Sequence, residues 1–423
     1  MRVLLVNPKL STVYNPFPFP PLGLMILAAN IRDKHQVKIF DRNLLENNES
    51  ILAAAIKKFK PRVVGITSLT GKGILDGLNI SKMAKENGAK VVWGGTHASM
   101  FPLQTLENKF IDYVVVGEGE ITFPELLEAL EKRKSVAKIK GVGYKTQKGI
   151  KINSERAFIK NLDDYPIPAW DFVDVEKYIF TFKEAKRKIE MVTSRGCPFR
   201  CTFCYNLRFN KRRWRGRSAK KIIEEINFLK KYYQIDSVRF ADDLFSVDKK
   251  RLRKFCKMNS KTGISWDANC RINDINETFI DTVVKGDCSR LTFGVESGSE
   301  RMLKFLKKDI TVRQSIKAFE LLKPTNIMTT AAFMIGLPTE TPNEAKKTIK
   351  LAKKIKASHV HLYPYVPYPG TELSEYCVRE GLIKYPRKVE GWGNYRYDYT
   401  SDKAINFSAK NLNRLALYFQ FRH

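Results

Sequence analysis

Three cysteines share one short stretch, "SRGCPFRCTFCYN", Ser194–Asn206. Cys197, Cys201 and Cys204 follow the spacing C-x3-C-x2-C, and no fourth ligand stands near them: the next cysteine is Cys256 and the next histidine His359. Thiolates are soft ligands that suit zinc and iron–sulfur clusters. A structural zinc site is normally closed by four protein ligands. Compact spacing on one loop would instead let three sulfurs reach three corners of a four-iron cubane. An open coordination position is what a catalytic metal site needs and a structural one lacks.

The other four cysteines, Cys256, Cys270, Cys288 and Cys377, are scattered and never pair at C-x2-C spacing. Buried free cysteine is common, so they read as core packing and not as an auxiliary cluster. Seven cysteines in 423 residues form no disulfide framework, and such usage points to a reducing, cytoplasmic compartment. The net charge of +31 favours anionic partners: nucleic acid, headgroups or an acidic protein. The lysines are spread along the chain, no nucleic-acid recognition module is visible, and a lysine-rich solvated surface accounts for most of the excess. One dense run, "RFNKRRWRGR" (Arg208–Arg217), places six positive charges around Trp214; it suits an anionic substrate or acidic electron donor as well as a solvated loop. No apolar run is long enough to span a bilayer.

The elements that position the cysteines follow from periodicity. Short, mostly β-branched runs at Val3–Val6, Val37–Phe40, Val63–Ile66, Val91–Trp93 and Tyr113–Val116 alternate with helical periods near Leu22–Ile31, Ile51–Phe59, Ile74–Glu86 and Phe123–Glu131. This predicts an α/β fold that begins with an open, Rossmann-like parallel sheet over residues 1–140. Ligands of such sheets sit beyond the carboxyl ends of the strands, here "NPKLSTVYNPFPFPPLG", "TSLTGKG", "GGTHAS" and "GEGE". Residues 141–185 read as a hairpin with "QKG" at its turn, then a proline-containing linker, Asn161–Asp171. Strands near Ile189–Thr193, Ser237–Phe240, Ile264–Ala268, Arg290–Val295, Met328–Ile335 and His359–Tyr363 predict a partial (β/α)6 TIM-type barrel over residues 186–373, open on one side, with its site at the strands' carboxyl ends. Residues 374–423 are expected to form a small irregular C-terminal region.

C-x3-C-x-Φ-C with Phe203 at Φ, after the first strand of a partial barrel, resembles the radical S-adenosylmethionine (SAM) superfamily over about Lys186–Leu373. The resemblance implies a [4Fe–4S] cluster on Cys197, Cys201 and Cys204 whose free iron takes the SAM amino and carboxylate groups. An electron from the cluster would break the sulfonium bond, and the 5′-deoxyadenosyl radical would take hydrogen from an unreactive C–H bond. It also implies SAM contacts from Phe203 and Tyr205. Asp242 and Asp243 of "RFADDLF" stand where the superfamily meets the SAM ammonium, although Gly-Gly-Glu is the form in many members, which leaves open which of the two acts. Arg271 of "NCRIN" would hold the SAM carboxylate, Glu296 of "FGVESGS" the ribose hydroxyls, and Gly336 and Leu337 of "FMIGLPTET" the adenine. Tyr363, Tyr365 and Tyr368 are expected either to line the substrate cavity or to pack.

The N-terminal pieces together resemble the cobalamin-binding domain of the B12-dependent radical SAM subfamily, over most of residues 1–135. The implied cobalamin contacts are Pro21, Leu22 and Gly23; Ser68, Leu69 and Thr70; Gly94, Gly95, Thr96 and His97; and Gly117, Glu118, Gly119 and Glu120. Many cobalamin enzymes ligate cobalt through the histidine of D-x-H-x-x-G. In "DKHQVK" Lys38 replaces that glycine, and the piece precedes a strand instead of following one, so His35 reads as a surface residue. Cobalamin without a protein histidine on cobalt is therefore expected. The subfamily implies methyl transfer to an inert carbon, or to phosphorus, by way of methylcobalamin, with cyclisation or rearrangement as the alternative outcome. The corrin face would have to meet the barrel mouth. An external reductant such as flavodoxin or ferredoxin is expected, as no reductase domain is evident. A methylthiotransferase would carry a second cysteine set in its N-terminal domain, and residues 1–196 contain no cysteine.

Overall fold

A computed structural model describes residues 1–10, 18–44, 48–182 and 185–395. The expectations for the middle of the loop after the first strand, and for the C-terminal region beyond residue 395, lie outside the described residues. The chain forms two compact units, one built on residues 1–160 and the other on residues 179–385.

In the first unit the apolar runs become parallel strands β1 (Arg2–Asn7), β2 (Gln36–Asp41), β3 (Val63–Thr67), β4 (Lys90–Gly94) and β5 (Tyr113–Val115). A hairpin, β6 (Val142–Thr146) and β7 (Gly149–Ile152), adds antiparallel to β5, giving the order β2-β1-β3-β4-β5-β6-β7. Helices Leu22–Ile31, Glu49–Phe59, Gly73–Glu86 and Gly119–Glu131 join the parallel strands. Leu24, Leu126 and Leu127 close with Val3, Val63 and Val92 into a buried core. Strand order reverses between β1 and β3, and a ligand crevice opens at such a switch point, beyond the carboxyl ends.

Two segments differ from expectation. Asn161–Asp171 is not a free linker: short 3-10 turns form at Leu162–Asp164 and Trp170–Phe172, and residues 164–178 join the first unit. The cause is two aromatic anchors that periodicity cannot reveal. Trp170 is buried, and the buried Tyr178 donates its hydroxyl to Asp41, 2.9 Å away. The C-terminal region is also not simply irregular. It contains the helix Glu372–Arg379, capped by Thr371, and residues 386–395 then pack on the first unit. Trp392 is fully buried there, its ring 4.7 Å from Phe101 and 5.6 Å from His97. Gly393 lies so close to the helix Gly73–Glu86 that a Cβ would stand 2.3 Å from Leu75 Cγ.

The second unit carries β8 (Phe180–Phe182), β9 (Ala185–Met191), a separate two-stranded pair β10 (Ser194–Arg195) and β11 (Arg215–Gly216), then β12 (Ser237–Phe240), β13 (Ser265–Cys270), β14 (Cys288–Glu296), β15 (Met328–Ile335) and β16 (His359–Pro364). The large sheet runs β16-β15-β14-β13-β12-β9-β8, with six parallel strands and β8 antiparallel at the β9 edge. Its helix-covered face is apolar. Phe240 on β12 stacks on Phe245 at 4.4 Å, and Phe255 of the helix Lys249–Asn259 meets Trp266 at 5.5 Å. The concave face is polar: Glu190, Arg239, Asp267 and Arg290 stand in register across β9, β12, β13 and β14.

His97 is completely buried in the first unit, and desolvation pushes its imidazole down to about 3. Because the folded value lies below the unfolded one, unfolding takes up a proton below about pH 6.5. Stability is then lost as pH falls from there, by about 1.4 kcal/mol per unit. Chemical denaturation at pH 7.5 and 5.5 should show this loss, and H97Q should show less of it. Truncating Trp392 to alanine should cost about 3–5 kcal/mol, read in the same denaturation curves.

Candidate active site

The cysteine loop leaves β9 and is held from several sides. Gly196 has φ +84°, and an added Cβ would stand 2.1 Å from the Arg213 carbonyl oxygen, so only glycine fits. Thr202 donates its N–H to Leu306 O at 3.0 Å and accepts from Leu373 N at 2.8 Å. The basic run therefore serves partly as a brace: Trp214 donates its indole N–H to Leu244 O, and Arg217 pairs with buried Glu225 at 2.8 Å, while Arg208, Lys211, Arg212 and Arg213 remain exposed.

Cys201 is buried, and Cys197 and Cys204 are half-buried. Burial raises the Cys197 thiol and pushes Cys204 up to about 11. Donors lie against the sulfurs: Arg271 Nη1 is 3.6 Å from Cys201 Sγ, and Asn206 Nδ2 is 3.7 Å from Cys204 Sγ. Among the described residues no three His, Cys, Asp or Glu converge closely enough to hold a single metal ion. Three thiols with adjacent N–H donors are instead the donor set of an iron–sulfur cluster, whose sulfurs such donors tune.

The two aspartates separate cleanly. Asp242 is fully buried, and its carboxylate accepts from Thr193 N and Oγ1 and from Ser194 Oγ at 2.5–2.6 Å, with Arg251 3.8 Å away. It is a bracket at the root of the loop, and of the two aspartates between which the sequence left the choice open it is the one already engaged within the protein. Asp243 accepts from Gly196 N at 3.0 Å and from the Tyr205 hydroxyl at 2.8 Å, beside the cysteines. Desolvation and the Asp243 charge raise the Tyr205 phenol. Arg271 is buried, lies 3.6 Å over the Phe199 ring and donates to the Lys308 carbonyl.

Sequence reasoning missed two residues. Lys308 Nζ is 2.7 Å from Glu296 Oε1, both side chains about 10% exposed, and sits 5.9 Å over the Phe203 ring. Glu296 has φ +67°; a Cβ on Gly294 would meet its Oε1 at 2.2 Å, so that glycine admits the pair. Glu340, also buried, accepts from Gly336 N at 2.6 Å and Leu337 N at 3.2 Å, and burial pushes it up to about 7. Only the "GLPTET" run hinted at Glu340; Lys308 lies in a lysine-rich stretch that looks like surface. Of the tyrosines, Tyr365 packs in a core with Met302, Leu306 and Leu337, whereas Tyr363 and Tyr368 are exposed.

In the first unit the strand-end glycines form a cradle. A Cβ at Gly23, Gly71 or Gly117 would meet nothing within 4 Å, and one at Gly95, φ +89°, would stand 2.7 Å from Ser68 O. Open space above and backbone pressed close below fit a flat macrocycle. Leu69 and Gly23 are exposed and Thr70, Gly94, Thr96, Glu118 and Gly119 half-buried, whereas Pro21, Leu22 and Glu120 are buried. Two of these residues bond within the protein. The Ser68 hydroxyl is spent within the protein, donating to Gly94 O at 2.7 Å and accepting from Ala98 N at 3.1 Å. His97 is not at the surface of the cradle, and its Nδ1 is 2.9 Å from Thr70 Oγ1. His35 immediately precedes β2, at the opposite end of the sheet from the cradle, 3.2 Å from the terminal amine.

Gly196→Ala should lose most of its bound iron after reconstitution, measured by iron and sulfide analysis, with far-UV circular dichroism unchanged.

The radical SAM superfamily profile matches residues 191–352 and the B12 binding domain profile residues 12–127. An uncharacterized methyltransferase of Pyrococcus horikoshii is 37% identical over 98% of this chain and 90% of that protein. The anaerobic magnesium-protoporphyrin IX monomethyl ester cyclase of Rubrivivax gelatinosus is 28% identical over 88% of this chain and 69% of its own. The fold is that of the radical SAM methyltransferase TsrM from Kitasatospora setae, solved with cobalamin and a [4Fe–4S] cluster, with a TM-score of 0.76 at 18% identity, over 91% of this chain and 76% of that one. With both profiles matched in this order and one relative similar along nearly its whole length, the chain belongs to the cobalamin-dependent radical S-adenosylmethionine enzymes.

Proposed function

We propose that this enzyme is a methyltransferase acting on an unactivated carbon. The observation that carries the reading is the 37% identical methyltransferase relative spanning 98% of the chain, joined to a cysteine loop and a glycine cradle with the right donor chemistry. When bound, the cluster supplies an electron that cleaves SAM to the 5′-deoxyadenosyl radical, and cobalamin carries the methyl group.

The chain's own residues then have definite tasks. Cys197, Cys201 and Cys204 hold the cluster, and the Arg271 guanidinium, against Cys201, offsets thiolate charge as well as facing a SAM carboxylate. Asp243 receives the SAM ammonium, and Tyr205 orients Asp243. Glu296 takes the ribose hydroxyls and Lys308 fixes the position of Glu296. Glu340 holds the Gly336–Leu337 backbone in the shape that receives adenine. In the first unit the backbone at Gly23, Gly94–Gly95 and Gly117–Gly119 carries cobalamin without a histidine on cobalt; Ser68 and His97 shape this cradle from behind.

A second reading, cyclisation without methyl transfer, is favoured by the Rubrivivax relative and by the cyclases of Cereibacter sphaeroides and Synechocystis, each 26% identical. The reductant is an external flavodoxin or ferredoxin, and the compartment is the reducing cytoplasm that seven cysteines without a disulfide framework suit. No helix among the described residues is long and apolar enough to cross a membrane.

The test is mass spectrometry of extracts with and without the gene. A product heavier by one methyl group is expected; a substrate consumed with no added carbon would select cyclisation. Cys204→Ala should end 5′-deoxyadenosine formation, and its survival would sink the radical reading.

A further inference from the structure

Two side chains beside the cysteine loop carry charge that no ion pair balances. Arg271 directly follows β13 and is 5% exposed. Its guanidinium lies 3.6 Å over the Phe199 ring, Nη2 donates to the Lys308 carbonyl, and Nη1 is 3.6 Å from Cys201 Sγ. Its Nε is buried without a hydrogen-bond partner. Among the described residues Arg271 forms no ion pair with a carboxylate. A buried guanidinium without a counter-charge is costly. The anion at hand is the Cys201 thiolate, which forms when the sulfur binds a metal.

Asp243 stands beside the other two cysteines. Its carboxylate accepts from the N–H of Gly196, the residue before Cys197, and from the hydroxyl of Tyr205, the residue after Cys204. Asp242 has the Arg251 guanidinium 3.8 Å away, but Asp243 forms no ion pair among the described residues. Burial comes first in raising the Cys197 and Cys204 thiols; beyond it, the Asp243 charge raises both and the Arg271 charge lowers Cys197. Two charges of opposite sign therefore act on one set of sulfurs.

We propose that Arg271 and Asp243 set the reduction potential of the bound cluster in opposite directions, Arg271 raising it through Cys201 and Asp243 lowering it beside Cys197 and Cys204. This rests on the loop holding an iron–sulfur cluster. On reduction the cluster takes one electron from the external reductant and becomes more negative by one charge, with no bond made or broken. A cation against a sulfur stabilises the reduced form and an anion the oxidised form; local charge and N–H donors to the sulfurs are what tune such potentials. Burial out of water strengthens both effects. The ring and the Lys308 carbonyl hold Arg271 in place whether or not SAM is present.

The experiment is a redox titration of the reconstituted full chain without SAM, using dithionite and mediators. The reduced cluster is counted by electron paramagnetic resonance and normalised to bound iron. Arg271→Gln should lower the reduced-to-oxidised ratio at a fixed potential at least about tenfold, ~59 mV more negative for one electron. Asp243→Asn should shift it by a similar factor the other way. Arg271→Lys keeps the charge and should stay within about threefold of the parent chain. Shifts of R271Q and D243N in one direction, as a loosened loop would give, overturn the proposal. So does an unmoved midpoint in either, or R271K behaving like R271Q. Should R271Q take up no cluster, the direction in D243N decides. A parent chain that holds no cluster overturns the proposal and the radical reading together. Opposite shifts in a protein that never makes 5′-deoxyadenosine sink the radical reading alone, and turnover with unmoved midpoints sinks this proposal alone.

Discussion

The second unit depends on the fixed backbone of one loop. Three thiols can bind a single cluster only if the peptide between them does not move. The structure secures it by removing a side chain at Gly196, where the backbone touches Arg213, and by gripping both faces of Thr202. Asp242 and Asp243 then act as neighbours with opposite orientations. One is closed into the root of the loop and the other turns toward Tyr205 and the Gly196 amide. A buried carboxylate is tolerable with three donors on its two oxygens and a guanidinium 3.8 Å away, and it fixes the place at which the second carboxylate is offered.

Much of this was legible in the residues. Strand β12 spans Ser237–Phe240 and β15 Met328–Ile335 as the alternation implied, since a β-branched run covered by helices leaves little freedom. The cysteine spacing, with Phe203 and its place after the first barrel strand, carried the cluster reading. The Asp242–Asp243 pair was not resolvable, because adjacent strand-end residues point to opposite sides and only the sheet shows which side is the interior. Lys308 was hidden by its setting: Lys307, Lys308 and Asp309 look like solvated charge, yet positive φ at Lys307 and Asp309 turns the intervening side chain inward to Glu296. The docking of Trp170 and Trp392 left no periodic trace, because a single anchor has no period.

In the first unit the family resemblance names a set of residues, and the structure shows how differently they are placed. Gly117 has open space beside it and Gly95 lies close against Ser68, whereas the side chains of Ser68 and His97 bond within the protein. Polar side chains beside glycine at a strand end serve the turn as readily as a ligand. His97, enclosed by Phe101 and Trp392, is a neutral spacer that holds the shape of the turn.

The return of residues 386–395 to the first unit has a consequence for synthesis on the ribosome. The helix carrying Leu75 and the turn carrying His97 emerge early, yet the surface that covers them is translated some three hundred residues later. The last strand of the barrel sheet ends at Pro364, so that sheet can close while Leu75 and His97 are still uncovered. Domains commonly fold in the order in which they are made; in this chain the N-terminal unit is among the last to be completed.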